Sequence, residues 1–197
     1  EAEANVIHIL GQINKKHRGK KYEIAVRDPA LFAGYLFKEL AERKGIRIYG
    51  YPKRYSLVDS TFNSKELQLD SIISLTLAEV VKETNKESKN LYAENVLKSI
   101  GYYVGGDGSF RTGIALIKKF LGQLGIDTCS VQPVDGSGLS RDNLLSPYSI
   151  ILVLRYLYLS PYRNIFWGSL PKGNEGTLFG RLLNMGDAVR AKTGTLR

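Results

Sequence analysis

A serine and an asparagine stand two residues apart in Ser88-Lys89-Asn90, a polar triplet that interrupts a helical pattern. A break between two helices can present both side chains to a cleft instead of packing them. The hydroxyl of Ser88 can then relay a proton, and the amide of Asn90 can bind a substrate carbonyl. Taken alone, such a triplet is common, and it is more typical of a helix-linking turn that is capped by its serine.

A second candidate segment lies at Ala191-Lys192-Thr193-Gly194-Thr195. Here a cation and a hydroxyl precede a residue without a side chain, in a pattern that predicts a strand. Such a strand can hold an anionic substrate group and leave backbone N–H groups free to face a reacting carbonyl. The glycine allows a ligand to approach the backbone closely.

A third segment, Asp135-Gly136-Ser137-Gly138-Leu139-Ser140, predicts a tight turn with permissive backbone at its two glycines. Ser137 has no histidine near it in the sequence that could act as a base. A role of this turn in an active site therefore has no independent support from the sequence.

The elements that must position these segments are mainly helical. Asp28-Pro29 and Ser146-Pro147 each combine an N-cap residue with a proline suited to a first helical turn. Apolar spacing predicts helices from Asp28-Pro29 to Gly45, Leu75 to Asn85, Leu91 to Gly101, Phe110 to Leu124, Ser146-Pro147 to Leu159, and Leu178 to Leu183. Alternation and β-propensity predict a hairpin from Asn5–Ile13 and Tyr22–Val26, and strands at Ile46–Tyr49 and Ala188–Thr195.

Composition sets limits on the class of protein. The chain has 197 residues, of which 43% are hydrophobic and 24% charged, which excludes a disordered chain, a collagen and a coiled-coil rod. No apolar run is long enough to span a bilayer. With one cysteine, Cys129, and two histidines, His8 and His17, we expect neither an internal disulfide nor a metal site, and no cofactor.

The net charge of +9 lies mostly at the front of the chain. Residues 1–55 contain 12 Lys and Arg against 6 Asp and Glu, so they carry +6 of it. This charge would suit three kinds of partner: nucleic acid, an anionic envelope polymer, or an acidic domain elsewhere. It is equally compatible with a basic surface that binds nothing, because charge alone identifies no partner.

Together, in this order and spacing, the segments resemble the signatures of the penicillin-recognising serine enzymes, in which Ser-x-Asn precedes Lys-Thr-Gly. One branch is most similar, the class C low-molecular-mass penicillin-binding proteins, which are D-alanyl-D-alanine carboxypeptidases and endopeptidases. The resemblance extends over nearly the whole chain from about residue 22 and includes Asp28-Pro29-Ala30-Leu31-Phe32, Ser88 to Glu94, Asp135 to Asn143, Ser169-Leu170-Pro171, Gly176-Thr177-Leu178 and Arg190 to Thr195.

The resemblance implies an α/β (α+β) architecture. It consists of part of a transpeptidase-like or β-lactamase-like domain, with a helical subdomain and the Lys-Thr-Gly strand, and a smaller α/β accessory domain. We expect residues 1–70 to be the returning part of an inserted accessory domain. Residues 71–197 would be an incomplete D,D-peptidase domain.

The resemblance also implies a mechanism and its residues. A serine in a Ser-x-x-Lys motif attacks the D-Ala-D-Ala peptide carbonyl, an acyl-enzyme forms, and water releases it; β-lactams trap the same serine. Peptidoglycan stem peptides and β-lactams are thus the implied ligands of an exported bacterial enzyme. Ser88 would relay protons to the leaving amine and Asn90 would hold the substrate amide. Lys192 and Thr193 would bind the terminal carboxylate or that of penicillin, and Gly194 belongs to the same substrate-binding segment. The N–H of Thr195 would form half of the oxyanion hole.

The nucleophile motif departs from the family pattern, because nothing before Ser88 fits it. The formal match at Ser169-Leu170-Pro171-Lys172 lies after Ser-x-Asn and contains a proline, so we reject it. We therefore expect this chain to be inactive alone and to depend on a missing part of its own polypeptide.

Two other functions stay open at this point. One is a non-catalytic relative that binds peptidoglycan or a partner through the basic front half. The other is a basic nucleic-acid-binding module, which only the positive net charge supports. Because the sequence carries no signature of a nucleic-acid-binding fold, we expect no nucleic-acid partner.

Overall fold

A computed structural model describes residues 10–16, 19, 24–54 and 70–194. Spatial contacts divide the chain into two compact units, Glu1–Ser71 and Ile72–Arg197. The assignment of the predicted segments 1–70 and 71–197 to an accessory domain and an incomplete peptidase domain stays a prediction.

The first unit contains helix α1, Pro29–Arg43, which begins and ends where the sequence predicts. The Asp28 side chain accepts a hydrogen bond from the N–H of Leu31 at 3.0 Å and caps the helix. Gly45, with a φ of 82°, follows its last turn. Asp28 also pairs with Arg54, and the pKa of its carboxyl is lowered, chiefly by the hydrogen bond from Leu31.

The strand predicted at Ile46–Tyr49 is wrong. The structure assigns no strand there, and the side chains of Ile46 and Tyr49 are 61% and 88% exposed. β-Propensity alone does not make a strand, because a ladder needs a neighbouring segment to pair with. The predicted hairpin of Asn5–Ile13 and Tyr22–Val26 lies largely outside the described residues, and its described parts, 10–13 and 24–26, form no strand.

In its described residues, 72–194, the second unit contains five α-helices: α2, Leu77–Glu87; α3, Asn90–Gly105; α4, Phe110–Gln123; α5, Pro147–Leu159; and α6, Arg163–Ser169. Local caps fix most of their starts. Thr76 and Glu79 form a capping box at α2, while Ser109 and Ser146 accept hydrogen bonds from the first turns of α4 and α5. Helices α2 to α5 confirm the predicted helices, whereas α6 was not predicted.

Two small groups of buried residues hold this unit together. Leu97 of α3 is buried against α4, where a Cβ on Gly113 would lie 2.5 Å from the Leu97 carbonyl oxygen. The helices can approach so closely only because position 113 has no side chain. A second buried cluster contains Leu121, Ile126 and Val131.

The last part of the chain differs most from the prediction. The helix predicted at Leu178–Leu183 is replaced by a single 3₁₀ turn, Gly176–Leu178, which ends at Phe179 with a ψ of 131°. It does not continue as a helix, because Gly180 and Leu182 have positive φ angles. The strand predicted at Ala188–Thr195 is not formed within its described part, which begins in a 3₁₀ turn, Gly186–Ala188, and contains a single isolated antiparallel bridge, between Lys172 and Arg190.

Among the described residues, no helix is both long and apolar enough to cross a bilayer.

Candidate functional site

The break between α2 and α3 presents Ser88 and Asn90 at the surface. Ser88 ends α2 in the left-handed conformation, with φ 53° and ψ 46°, which turns the chain sharply. Lys89 then caps α3, and Asn90 is its first residue. Both Ser88 and Asn90 are exposed, so the predicted break between helices is confirmed.

Lys192 meets Ser88 at this break, although 104 residues separate them. The Lys192 ammonium group donates a hydrogen bond to the Ser88 hydroxyl at 3.0 Å and another to the carbonyl oxygen of Thr193 at 2.6 Å. Burial lowers the pKa of Lys192 from its usual value. A hydroxyl that accepts a hydrogen bond from an ammonium keeps its own hydrogen to donate, as a proton relay requires.

The segment before Lys192 is held against residues 170–172. The N–H of Ala191 donates to the carbonyl oxygen of Pro171 at 3.1 Å. The Arg190 guanidinium donates to the carbonyl oxygen of Leu170 at 3.1 Å and to Asp187 at 2.8 Å. These bonds fix the chain just before the residue that contacts Ser88.

The other predicted site residues that the structure describes do not take part in the contact between Lys192 and Ser88. Asn90 and Gly194 are exposed and Thr193 is half-buried, while Thr195 lies outside the described residues. In the part of the chain that the structure describes, one hydrogen bond joins Lys192 to Ser88, and none joins the side chain of Asn90 or Thr193 to this pair. A Cβ on Gly194 would contact no atom within 4 Å, so this side of the segment is open.

Lys89, the middle residue of the triplet, is directed back towards α2. Its ammonium group pairs with Glu83 at 2.6 Å and lies 5.1 Å from the centre of the Tyr92 ring. The hydrogen bond with Glu83 raises the pKa of Lys89, and the same bond lowers the pKa of Glu83. Lys89 is therefore engaged with its own helical surroundings and not with Lys192.

Glu94, one helical turn after Asn90, anchors the turn at Asp135-Gly136-Ser137. Its carboxylate accepts hydrogen bonds from the N–H groups of Gly136 at 2.9 Å and Ser137 at 3.1 Å, and from the Ser137 hydroxyl. The Ser137 hydroxyl therefore has a structural partner. The sequence pattern indicates no role for Glu94, and its only local signal is that it lies on the face of α3 that carries Asn90.

Asp135 organises the rest of that turn. It accepts hydrogen bonds from the N–H groups of Gly138 at 2.6 Å and Ser140 at 2.7 Å and from the Asn143 amide at 2.9 Å. Burial opposes ionisation of Asp135, but these hydrogen bonds outweigh it and hold the pKa of its carboxyl below the usual value.

Ser169, the serine of the rejected Ser-x-x-Lys match, is 1% exposed at the end of α6. Its hydroxyl donates to the carbonyl oxygen of Phe166 at 2.6 Å and accepts from the Asn85 amide at 2.8 Å. A hydroxyl that is enclosed in this way cannot reach a substrate, which supports the rejection of Ser169 as a nucleophile.

No group of three or more histidine, cysteine or acidic side chains is arranged to hold a metal ion within the ranges that the structure describes.

The family model that matches this chain and two of its relatives carry the names of D-Ala-D-Ala carboxypeptidases. The model of the D-Ala-D-Ala carboxypeptidase 3 (S13) family matches residues 1–197. A D-alanyl-D-alanine carboxypeptidase of Actinomadura sp. (strain R39) is 33% identical over 87% of this chain and 33% of its own length. The D-alanyl-D-alanine carboxypeptidase DacB of Haemophilus influenzae is 31% identical over 98% of this chain and 40% of its own length.

A solved structure agrees with these relatives. The crystal structure of penicillin binding protein 4 (dacB) from Haemophilus influenzae, complexed with a novel β-lactam, superimposes with a TM-score of 0.71 at 25% identity. The match covers 88% of this chain and 40% of that one. The chain thus spans between a third and two fifths of the length of the relatives it matches.

Proposed function

The chain belongs to the D-Ala-D-Ala carboxypeptidase 3 (S13) family, and from this we propose that the protein to which it belongs is a serine-type D-alanyl-D-alanine carboxypeptidase or endopeptidase. It acts on peptidoglycan stem peptides through an acyl-enzyme and is acylated by β-lactams. The names of the relatives and the β-lactam complex of the structural neighbour support this proposal.

The contact between Lys192 and Ser88 is the observation that carries the proposal. A cation 3.0 Å from a hydroxyl, at the surface of a break between helices, supports a site in which carboxylate binding is next to proton transfer. A D-Ala-D-Ala peptide needs both functions, because its terminal carboxylate lies one residue beyond the bond that is cut. Lys192 and Thr193 bind this carboxylate, and Asn90 holds the substrate amide.

The proposed reaction proceeds in two steps. The hydroxyl oxygen of a serine in a Ser-x-x-Lys motif attacks the carbonyl carbon of the penultimate D-Ala, and the lysine of that motif takes the serine proton. The C–N bond breaks as the leaving nitrogen takes a proton relayed through Ser88, which releases the terminal D-Ala. Water then hydrolyses the ester and regenerates the serine. Because no Ser-x-x-Lys motif precedes Ser88 and the serine of the one formal match, Ser169, is buried, we propose that the nucleophile comes from outside these 197 residues and that this chain alone turns over no substrate.

The proposed substrate also determines where the enzyme works. Peptidoglycan lies outside the bacterial cytoplasmic membrane, so the protein is proposed to be exported. The net charge of +9 suits the anionic polymers of the envelope, which we propose as a further contact of residues 1–55.

Labelling of the full-length protein with a fluorescent penicillin tests the proposal. We expect the wild-type protein to be labelled covalently, and Lys192→Ala to be labelled more slowly because it loses the cation for the penicillin carboxylate. Absence of labelling in the wild type would overturn the proposal, and unchanged labelling of Lys192→Ala would overturn the role of Lys192.

The buried position of Ser169 also favours a second candidate, a non-catalytic relative that binds peptidoglycan. In that case the full-length protein would sediment with isolated cell walls but would not react with the fluorescent penicillin. Covalent labelling excludes this candidate.

A further inference from the structure

Lys86 and Glu175 form an ion pair between the last turn of α2 and the loop that precedes the Gly176–Leu178 turn. Both side chains are partly shielded from solvent, with 14% of Lys86 and 34% of Glu175 exposed. The backbones also touch here, since a Cβ on Gly176 would lie 2.3 Å from the Lys86 carbonyl oxygen. The last turn of α2 therefore rests directly on the 175–176 loop.

Glu175 also bonds to the segment that carries Lys192. Its second carboxylate oxygen accepts a hydrogen bond from the N–H of Lys172 at 3.2 Å. Lys172 forms the antiparallel bridge with Arg190, two residues before Lys192. On the other side, Lys86 stands two residues before Ser88, so one carboxylate connects the two segments whose ends meet at Ser88 and Lys192.

We infer that Glu175 is a positioning residue that sets the distance between Ser88 and Lys192 by binding Lys86 with one oxygen and the Lys172 backbone with the other. The inference rests on the proposed function, because it concerns the proton relay of that reaction. Glu175 reaches neither Ser88 nor Lys192 directly, so it acts only through the segments that it joins.

The charge state of Glu175 agrees with this role. The hydrogen bond from Lys86 lowers the pKa of the Glu175 carboxyl, with smaller contributions from the Lys172 N–H and from the nearby charges of Lys86 and Arg190. Glu175 is thus ionised at neutral pH, and both of its bonds are charge-assisted. A second contact beside it, from the Asn85 amide to the Ser169 hydroxyl, keeps α2 against α6 when the ion pair is lost.

The test compares acylation of the full-length Glu175→Gln variant by fluorescent penicillin with that of the wild type. We expect the maximal acylation rate to fall about tenfold, because small displacements of a proton-transfer group are costly. The half-saturating penicillin concentration should change less than twofold, since the chain before Lys192 is still held by the bonds from Ala191 to Pro171 and from Arg190 to Leu170. Lys86→Met should reproduce the loss and Lys86→Arg should restore most of the rate, because arginine keeps the charge.

Glu83→Gln is the matched control. It removes a Lys–Glu pair from the same helix, but that pair joins α2 to Lys89 and not to the 170–192 segment. If Glu175→Gln fails to fold, the two Lys86 variants carry the test, because they leave the Glu175 bond to Lys172 in place. Equal rates in Glu175→Gln, Glu83→Gln and wild type would overturn the inference, whereas an unlabelled wild type would overturn the proposed function instead.

Discussion

The carboxylate of Glu94 accepts two hydrogen bonds from Ser137, one from its backbone N–H at 3.1 Å and one from its hydroxyl. The two residues are 43 positions apart, so the contact ties the turn that contains Ser137 to helix α3. A third bond, from the N–H of Gly136, completes the anchor. The segment 135–137 therefore contacts α3 at Glu94, which lies one helical turn after Asn90.

Removal of the Glu94 carboxylate should destabilise the protein. Glu94→Ala leaves the N–H groups of Gly136 and Ser137 without their acceptor, which we expect to lower the free energy of unfolding by about 1–3 kcal/mol. Ser137→Ala removes only the hydroxyl bond and should cost about 1 kcal/mol. Denaturant unfolding measures both changes, and equal losses in the two variants would show that the backbone bonds contribute nothing.

Gly136 should not tolerate a side chain. A Cβ at this position would lie 2.6 Å from the carbonyl oxygen of Ala93, so Gly136→Ala forces two backbones apart at a cost of about 1–3 kcal/mol. Gly168→Ala is the matched control, because a Cβ there meets no atom within 4 Å and alanine favours the helix by up to about 1 kcal/mol. Thermal unfolding should therefore shift in opposite directions, and a stable Gly136→Ala protein would contradict the close approach.

Much of the helical structure could be predicted because its signals are local. Asp28-Pro29 and Ser146-Pro147 each fix a helix start within four residues, and both predictions are confirmed. The strand predicted at Ile46–Tyr49 failed for the opposite reason, since β structure depends on a partner that a local pattern does not reveal. Helix α6, with seven residues, is too short for its apolar spacing to stand out.

For the candidate site too, the sequence predicts some features and not others. The resemblance to a low-molecular-mass penicillin-binding protein is confirmed by the family match and the structural neighbour. The roles of the individual site residues stay predictions. The contact between Lys86 and Glu175 crosses 89 residues and carries no local signature, so only the folded chain could reveal it.

Ser88 should be replaceable by glycine more easily than by alanine as far as folding is concerned. Its left-handed backbone, with φ 53°, costs a residue with a Cβ about 1 kcal/mol that glycine does not incur. We expect Ser88→Gly to unfold at a higher denaturant concentration than Ser88→Ala. Both variants lose the hydroxyl, so acylation by fluorescent penicillin should slow about a hundredfold in each. If either variant were acylated much faster than this, the role of the Ser88 hydroxyl as a proton relay would be contradicted.

Asp135 should make stability depend on acid pH. Its folded-state pKa lies below the ordinary value of 3.8, so its contribution is present above that value and is lost as the pH falls through the folded pKa. Wild-type stability should therefore decline more steeply with acidification below pH 3.8 than that of Asp135→Asn. Chemical unfolding at a series of pH values measures the two slopes, and parallel curves would show that the Asp135 hydrogen bonds do not favour its charged form.

Lys192 should set an alkaline limit to ligand binding. Burial lowers its pKa below the ordinary value of 10.5, so the ammonium group loses its charge as the pH rises through this lowered value. The half-saturating concentration of fluorescent penicillin should then increase, because the penicillin carboxylate loses its cation. In Lys192→Arg the guanidinium stays charged, and the increase should move to higher pH even if binding at neutral pH is weaker. The measurement compares both full-length proteins between neutral pH and pH 10.5; an alkaline limit at the same pH in both would assign it to a group other than Lys192.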